Sequence, residues 1–239
     1  MDSVYIVDAG NTFLKLAHFR QGELISTSIF TTLDSLVQEI AHATKIVLAS
    51  VRSVAFNAQF TKLFPQTFLL NANLKLPFMI DYETPETLGI DRLCNAAALI
   101  HRFPNQHALC IDMGTCIKFD FVNNQREFIG GSISPGMRLR YASLHQYTAK
   151  LPHLEASKSF DLIGKNTTEA IQNGVQYGIL GELHYMIECY EAKFPDLTII
   201  MTGGDAHYFD FGQKNNIFAD ENFTLRGIYE LYTFNAATT

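Results

Sequence analysis

Positive charge is in short supply in this chain. Its 239 residues include 18 lysines and arginines against 24 aspartates and glutamates, so the formal charge is −6. A protein that binds nucleic acid through a broad cationic face needs a surplus of basic residues. The composition therefore argues against a nucleic-acid partner, and any lysine or arginine that binds an anion must act locally.

Cysteine is also scarce, and long apolar runs are absent from the sequence. The four cysteines, Cys94, Cys110, Cys116 and Cys189, form no C-x-x-C pair, and the eight histidines show no metal-ligand spacing. We therefore expect reduced thiols and no zinc site. No apolar segment approaches the roughly 18 residues of a membrane span, and the N-terminus lacks the pattern of a secretory signal. These features predict a cytoplasmic protein with no membrane partner.

One short phrase occurs twice, each time after an apolar run. D-A-G-N-T (Asp8 to Thr12) follows V-Y-I-V, and D-M-G-T-C (Asp112 to Cys116) follows A-L-C-I. Glycine leaves no side chain between such a turn and a ligand, while backbone N–H groups and hydroxyls can bind phosphate oxygens. The aspartate can face a cation or its waters. The repetition predicts two similar halves that hold one nucleotide, as in a phosphoryl-transfer enzyme.

The predicted order of elements also repeats between the two halves. The first half reads as three antiparallel strands, a helix over 31–44 behind a Thr31-x-x-Asp34 cap signal, and a fourth strand. Thr84 and Pro85 predict the start of a second helix, which Pro104 ends. The second half reads as three strands, a helix over 135–148, a long helix over about 168–193 and a last strand. We predict two domains, 1–106 and 107–239.

The long helix has an unusual face. Gly174, Gly178 and Gly181 lie four and three residues apart, so they share one side of the helix. Each mid-helix glycine costs up to about 1 kcal/mol relative to alanine. This cost predicts a close contact with another helix, in this chain or in a second subunit.

Several polar residues have both an ordinary and a functional interpretation. Asp91 and Arg92 begin a helix, either as a surface pair favoured by the helix dipole or as a proton acceptor beside an anion-binding guanidinium. Lys15 is either an exposed strand residue or a phosphate ligand. Thr167 is either an N-cap or a substrate ligand. The turn at Gly203 and Gly204 either only reverses the chain or lies against an adenine ring.

Taken together, the motifs resemble those of the type III pantothenate kinases, in the superfamily of acetate kinase, sugar kinases, Hsp70 and actin. The resemblance covers nearly the whole chain, in the family's order, and rests on D-A-G-N-T-F-L-K, Y-E-T-P-E-T-L-G-I-D-R, D-M-G-T, G-G-S-I-S-P-G, I-G-K-N-T and T-G-G-D-A. It implies an α/β fold of two duplicated ribonuclease H-like (actin-like ATPase) domains, each a mixed five-stranded sheet flanked by helices.

The resemblance also implies an activity and a site. Members phosphorylate pantothenate to 4′-phosphopantothenate with ATP, Mg²⁺ and a monovalent cation, K⁺ or NH₄⁺, as homodimers with the pantothenate pocket at the interface. Asp91 would accept the hydroxyl proton, Asp8 would face Mg²⁺ through water, and Asp112 would bind the monovalent cation. The implied ATP-binding residues are Asp8, Ala9, Gly10, Asn11, Thr12, Phe13, Leu14, Lys15 and Thr115. The implied pantothenate-binding residues are Tyr82, Gly89, Ile90, Asp91, Arg92 and Thr167.

The chain departs from the family pattern after the second turn. Cys116, Ile117 and Lys118 stand where the family usually has alanine, isoleucine and threonine. A cation at Lys118 could affect nucleotide or potassium binding. Two alternatives stay open at this point: another small-molecule kinase of the superfamily, which has no reason to carry Y-x-x-P-x-x-L-G-x-D-R, and a non-catalytic kinase-like regulator.

Overall fold

A computed structural model of the chain describes residues 3–71, 74–157, 161–209 and 216–237. The strands are β1 (Ser3–Ala9), β2 (Leu14–Arg20), β3 (Glu23–Phe30), β4 (Ile46–Ser50), β5 (Phe68–Leu69), β6 (Met79–Ile80), β7 (Ala108–Met113), β8 (Cys116–Val122), β9 (Glu127–Pro135), β10 (Thr198–Thr202) and β11 (Ile217–Ala219). The helices are α1 (Leu33–Ile40), α2 (Val54–Leu63), α3 (Ile90–Arg102), α4 (Met137–Gln146), α5 (Thr167–Lys193) and α6 (Phe223–Ala236).

The first sheet has five strands in the order β3-β2-β1-β4-β5. Strands β1, β2 and β3 pair antiparallel, as the meander prediction states, whereas β4 pairs parallel with β1 and β5 pairs parallel with β4. One face of this sheet is buried under α1 and α2, which contribute Leu36, Ile40 and Phe60 to a core of strand residues. The sheet is mixed, as predicted.

The second sheet has six strands in the order β11-β10-β7-β8-β9-β6, one more than predicted. Neither β11 nor β6 was among the strands read from the sequence; in β6, Met79 and Ile80 pair parallel with Glu127 and Phe128. Two residues are too few to show a strand period, so the sequence carried no signal for β6. Strand β7 is buried along its whole length and lies between parallel β10 and antiparallel β8. Helix α5 contributes Ile171, Val175, Ile179, Leu183 and Ile187 to the adjoining core.

The chain forms two compact units. The first comprises 1–104, 126–129 and 222–239, and the second comprises 105–125 and 130–221. The two predicted domains, 1–106 and 107–239, stay a prediction; the compact units differ from them mainly in assigning the C-terminal helix α6 to the first unit. Helix α6 packs on α3 and approaches β1 and β4 within that unit.

Helix α3 begins later than the sequence predicted. Thr84 and Pro85 start only a short 3₁₀ turn, Pro85–Thr87, in which the Thr87 N–H donates to the Thr84 carbonyl at 3.0 Å. Leu88 and Gly89 are extended, and the α-helix starts at Ile90. The cap signal therefore marks a local turn, because it reports hydrogen bonding over three residues and not how far a helix continues.

The other predicted helices need small corrections. Thr32, not Thr31, caps α1, and α1 ends at Ile40, four residues before the predicted end at 44. Helix α4 covers Met137–Gln146 within the predicted 135–148, and α5 agrees with the prediction to one residue. Helices α2 and α6 were not predicted. Helix ends shift by one or two residues easily, since the terminal turns lack part of their hydrogen bonds. Within the described ranges, no helix has the length and apolar character needed to cross a membrane.

Helices α3 and α6 touch at the level of the backbone. A Cβ atom at Gly227 would overlap the Cys94 carbonyl oxygen and lie 2.5 Å from its carbonyl carbon. Nearby, the buried Thr224 hydroxyl donates to Asn95 Oδ1 at 2.9 Å. The close approach therefore depends on glycine at position 227.

We predict that Gly227→Ala destabilises the protein. The added methyl group meets backbone and not a flexible side chain, so the two helices must separate, and overpacking of this kind costs about 1–3 kcal/mol. Urea unfolding followed by circular dichroism measures the loss. Ala236→Ser in the same helix is the control, because Ala236 is exposed near the helix end and its replacement should change stability by less than about 0.5 kcal/mol. Equal stability of Gly227→Ala and wild type would contradict the described helix contact.

Candidate active site

The first predicted phosphate turn joins β1 to β2. Asp8 and Lys15 pair directly across these antiparallel strands, next to the turn at 10–13, and both are half-buried. Directly opposed residues of an antiparallel pair project to the same face of the sheet. A carboxylate and an ammonium group therefore lie together beside the turn. A phosphate with a bound cation requires both, the ammonium group for the phosphate and the carboxylate for the cation.

Arg52 is a candidate site residue that the sequence analysis missed. It follows β4, and its Nε donates to the Gly10 carbonyl at 2.7 Å. Its guanidinium also lies over the Phe56 ring, 4.8 Å from the centroid, and the Val51 N–H donates to the Ala9 carbonyl. These contacts hold the first turn against the end of β4. The sequence offered one signal for Arg52, a basic residue after the buried strand β4. This signal becomes informative only once the parallel pairing of β4 with β1 is known.

The second predicted turn joins β7 to β8 and is closed by the Gly114 N–H donating to the Cys116 carbonyl at 3.0 Å. Gly136, from the G-G-S-I-S-P-G motif, packs directly on this turn, and its N–H donates to the Thr115 carbonyl at 3.0 Å. A Cβ atom at position 136 would overlap the Gly114 carbonyl oxygen and lie 2.7 Å from that of Thr115. Only glycine allows two backbone segments to approach this closely.

The T-G-G-D-A motif reaches the same turn. Gly203 has φ of +95°, and a Cβ atom there would lie 2.6 Å from the Met113 backbone nitrogen. The Asp205 N–H donates to the Met113 carbonyl at 2.9 Å. Three motifs that are far apart in the sequence therefore meet at the end of β7, all within the second compact unit.

Asp112 at this turn is buried and carries an internal partner. The Lys118 Nζ lies 2.7 Å from Asp112 Oδ2, and the two side chains are 14% and 12% exposed. Burial raises the pKa of the neighbouring Cys110 thiol, the carboxylates of Asp120 and Asp112 raise it further, and Lys118 opposes them. A monovalent cation bound at Asp112 would have to share this carboxylate with the ammonium group, so the residues present do not fit the predicted cation site well.

The pantothenate segment brings two predicted residues, Tyr82 and Arg92, together and adds a third, Phe128. Arg92 is only 4% exposed, and its guanidinium carbon lies 5.4 Å from the centre of the Phe128 ring and 6.0 Å from that of Tyr82. The interpretation of Arg92 as a solvated surface residue is therefore wrong, because two aromatic rings cover it. Phe128 had no signal in the sequence, since it lies in β9, on the strand that pairs with β6.

Asp91 lies in the first turn of α3 and is half-buried. Its Oδ1 accepts from the Arg92 backbone N–H at 3.0 Å, and a Cβ atom at Gly89 would lie 2.5 Å from this oxygen. The positive end of the helix dipole favours the charged carboxylate. Asp91 thus lies at a helix start, where Gly89 leaves space beside its carboxylate.

Thr167 is the first residue of α5 and is exposed. The N-cap is Asn166, whose Oδ1 accepts from the Glu169 N–H at 3.0 Å. The hydroxyl of Thr167 is therefore not the capping group, so the interpretation of Thr167 as the N-cap of α5 is wrong. The first compact unit carries the Asp8–Lys15 turn and residues 82–92, and the second carries Asp112, Thr115 and Thr167.

Comparisons with known proteins agree with these motifs. The family model described as type III pantothenate kinase matches residues 4–189. A type III pantothenate kinase of Christiangramia forsetii is 38% identical, over 96% of this chain and 98% of the relative. That of Flavobacterium johnsoniae is 37% identical, over 97% and 98%. The resemblance inferred from the motifs is confirmed.

Solved structures confirm the fold. A Campylobacter jejuni protein described as a Baf family transcriptional activator has a TM-score of 0.65 at 18% identity, over 98% of this chain and 99% of that one. The polyphosphate/ATP-glucomannokinase of an Arthrobacter species has a TM-score of 0.51 at 13% identity, over 100% of both chains. At these identities the likeness shows the fold alone, which is the predicted actin-like ATPase fold.

We predict that Asp205→Asn makes the protein more stable at neutral pH. Burial raises the pKa of Asp205 above its ordinary 3.8, while His207 and Arg138 oppose the shift. The folded state therefore holds this proton more tightly than the unfolded state, so wild-type stability falls as pH rises through the raised pKa. The gain in melting temperature should be present above that pKa and should disappear below 3.8.

Melting curves of both proteins across the acid range measure this dependence. Asp196→Asn is the control, since Asp196 is exposed in the same compact unit and its replacement should change the melting temperature little. A gain that grows as the pH falls would contradict the burial of Asp205.

Proposed function

The chain belongs to the type III pantothenate kinase family, and on this premise we propose how its residues transfer phosphate. The enzyme phosphorylates pantothenate with ATP, the first step of coenzyme A synthesis. Family membership decides against the alternative of a sugar or acyl kinase. A cytoplasmic location is part of the proposal, because ATP is the co-substrate.

ATP phosphates bind to the two glycine turns. The first turn and its flanking strand residues, Asp8 to Lys15, bind ATP, where Lys15 contacts phosphate and Asp8 orients Mg²⁺ through water. Thr115 contributes from the second turn. Support comes from the pairing of Asp8 with Lys15 and from Arg52, which fixes the Gly10 carbonyl. Phosphoryl transfer has a loose transition state, so such alignment and charge stabilisation supply most of the catalysis.

Asp91 accepts the proton of the pantothenate hydroxyl as that oxygen attacks the γ-phosphorus and ADP leaves. The observation that carries this assignment is the arrangement at the start of α3, where the half-buried Asp91 directly precedes the buried Arg92 and accepts from its backbone N–H. Arg92 binds the carboxylate of pantothenate, and the rings of Tyr82 and Phe128 hold the guanidinium in place. Gly89, Ile90 and Thr167 complete the proposed pantothenate site.

A monovalent cation at Asp112, K⁺ or NH₄⁺, stays a prediction from the resemblance. Lys118 Nζ already lies 2.7 Å from the Asp112 carboxylate, so a bound ion would share this carboxylate with the ammonium group. Mg²⁺ is expected with ATP, as in phosphoryl-transfer enzymes generally.

The enzyme is proposed to be a homodimer with its pantothenate site at the interface. Gly174, Gly178 and Gly181 are exposed on α5, and a Cβ atom at Gly174 or Gly181 would have no neighbour within 4 Å in the described chain. At Gly174 and Gly181 the compensating contact is therefore not made within the described ranges, whereas a Cβ atom at Gly178 would lie 3.7 Å from Arg140 Nη1. The facing helix of a second copy would supply it.

We predict that Asp91→Asn lowers turnover by about 10²–10⁴-fold, the usual contribution of a general base. The amide keeps the shape of the side chain but cannot take the proton, so affinity for ATP should stay near that of the wild type. A coupled assay of ADP release with pantothenate measures turnover, and calorimetry with ATP and Mg²⁺ measures binding.

Glu86→Gln is the matched control for this variant, because Glu86 is an exposed carboxylate in the same segment. It should retain wild-type turnover. Turnover of Asp91→Asn within a few-fold of wild type would refute the assignment of the base.

For the dimer, we predict that Gly181→Leu reduces the molar mass in solution from twice the 26.9 kDa of the chain to that of one chain. The leucine has room in its own chain but would separate two closely packed helices. Light scattering after gel filtration measures the mass. Ala58→Leu, a similar enlargement on the exposed side of α2, should leave the dimer intact. A wild-type protein that is monomeric would refute the proposal outright.

A further inference from the structure

Lys118 lies opposite Asp112 because of the pairing between strands β7 and β8. It pairs directly with Asp112 in the antiparallel register of β7 and β8, although it lies six positions later in the chain. Directly opposed side chains lie close enough to interact. Lys118 Nζ lies 2.7 Å from Asp112 Oδ2, and both side chains are less than 15% exposed.

The surroundings of the pair are acidic. Cys110 and Asp120 form the next aligned pair along the same face of the hairpin, and Asp120 is fully buried. Asp112, Asp120 and Asp220 all raise the pKa of the Cys110 thiol, whereas Lys118 is the single cation that lowers it. A positive charge at this position therefore offsets several carboxylates behind the second phosphate turn, where a triphosphate must bind.

A tethered ammonium group has an advantage over a free ion at such a place. It carries the same charge as K⁺ or NH₄⁺ and donates hydrogen bonds to the carboxylate. It is already bound by the fold, so no ion has to be captured and immobilised from solution. A free cation would have to displace a buried charge pair, which leaves an uncompensated buried charge and is strongly unfavourable.

We propose that the ammonium group of Lys118 replaces the monovalent cation at Asp112 and makes ATP binding and turnover independent of K⁺. This inference rests on the proposed ATP site at the second turn. Lys118 acts as a positioning residue, since it holds Asp112 and the turn, and touches neither substrate. In this chain the role of a soluble ion is carried out by a side chain of β8.

The test compares wild type with Lys118→Thr, which restores the residue usual in the family, and with Lys118→Arg, which keeps the charge. KCl is exchanged for choline chloride at constant ionic strength. The readouts are the dissociation constant of ATP with Mg²⁺ by calorimetry, the melting temperature without nucleotide, and turnover with pantothenate. Lys150→Thr, which removes an exposed lysine of the same compact unit, is the matched control.

We expect wild type, Lys118→Arg and Lys150→Thr to bind ATP equally, within about twofold, in both salts. Lys118→Thr should bind ATP about tenfold more weakly in choline chloride and recover in KCl. Its melting temperature should rise with added K⁺, because a bound ion stabilises the folded state, whereas that of wild type should not.

Three results would overturn the proposal. In the first, K⁺ strengthens ATP binding by wild type or raises its melting temperature. In the second, Lys118→Thr binds ATP as tightly as wild type in choline chloride. In the third, Lys118→Thr binds ATP weakly in both salts. If Lys118→Thr fails to fold, the wild-type measurements decide by themselves. Loss of pantothenate turnover in every protein would instead contradict the proposed function, since ATP binding and melting are measured without pantothenate.

Discussion

Close approach of backbone at a few glycines is the constraint on which the second phosphate turn depends. Gly136 and Gly203 come from separate motifs, and each lies against the backbone of 113–115 at a distance that excludes a Cβ atom. Backbone hydrogen bonds from Gly136 and Asp205 to the same segment fix the contact. Because the turn is held from two sides, the fold fixes its backbone geometry, which is what an anion site requires.

Charged groups of the site are positioned by burial as well as by pairing. Arg92 is covered by two aromatic rings, and Asp112 and Lys118 shield each other from water. A buried charge of this kind has few alternative positions, because any movement would take it away from the partner that compensates its desolvation. Phosphoryl transfer relies on alignment of charges and not on covalent chemistry, so fixed side chains of this kind suit the reaction of the family.

The sequence predicted the features that depend on local chemistry. Both Asp-x-Gly turns, the antiparallel first three strands, the long helix α5 and the order of six motifs could be read directly, and the family followed from that order. These signals are strong because each motif needs particular residues at fixed spacing. Where local signals report only one turn, as at Thr84 and Pro85, the predicted helix began too early.

What the sequence by itself determined is therefore the family, the fold class and the identity of the residues at the two turns. The tertiary structure alone decided that Arg52 fixes the first turn, that Phe128 covers Arg92 and that α6 packs on α3. It also decided that Lys118 faces Asp112, through the pairing of two strands. The physical reason is that these contacts join segments distant in sequence, and their energies depend on burial and register, which residue spacing does not record.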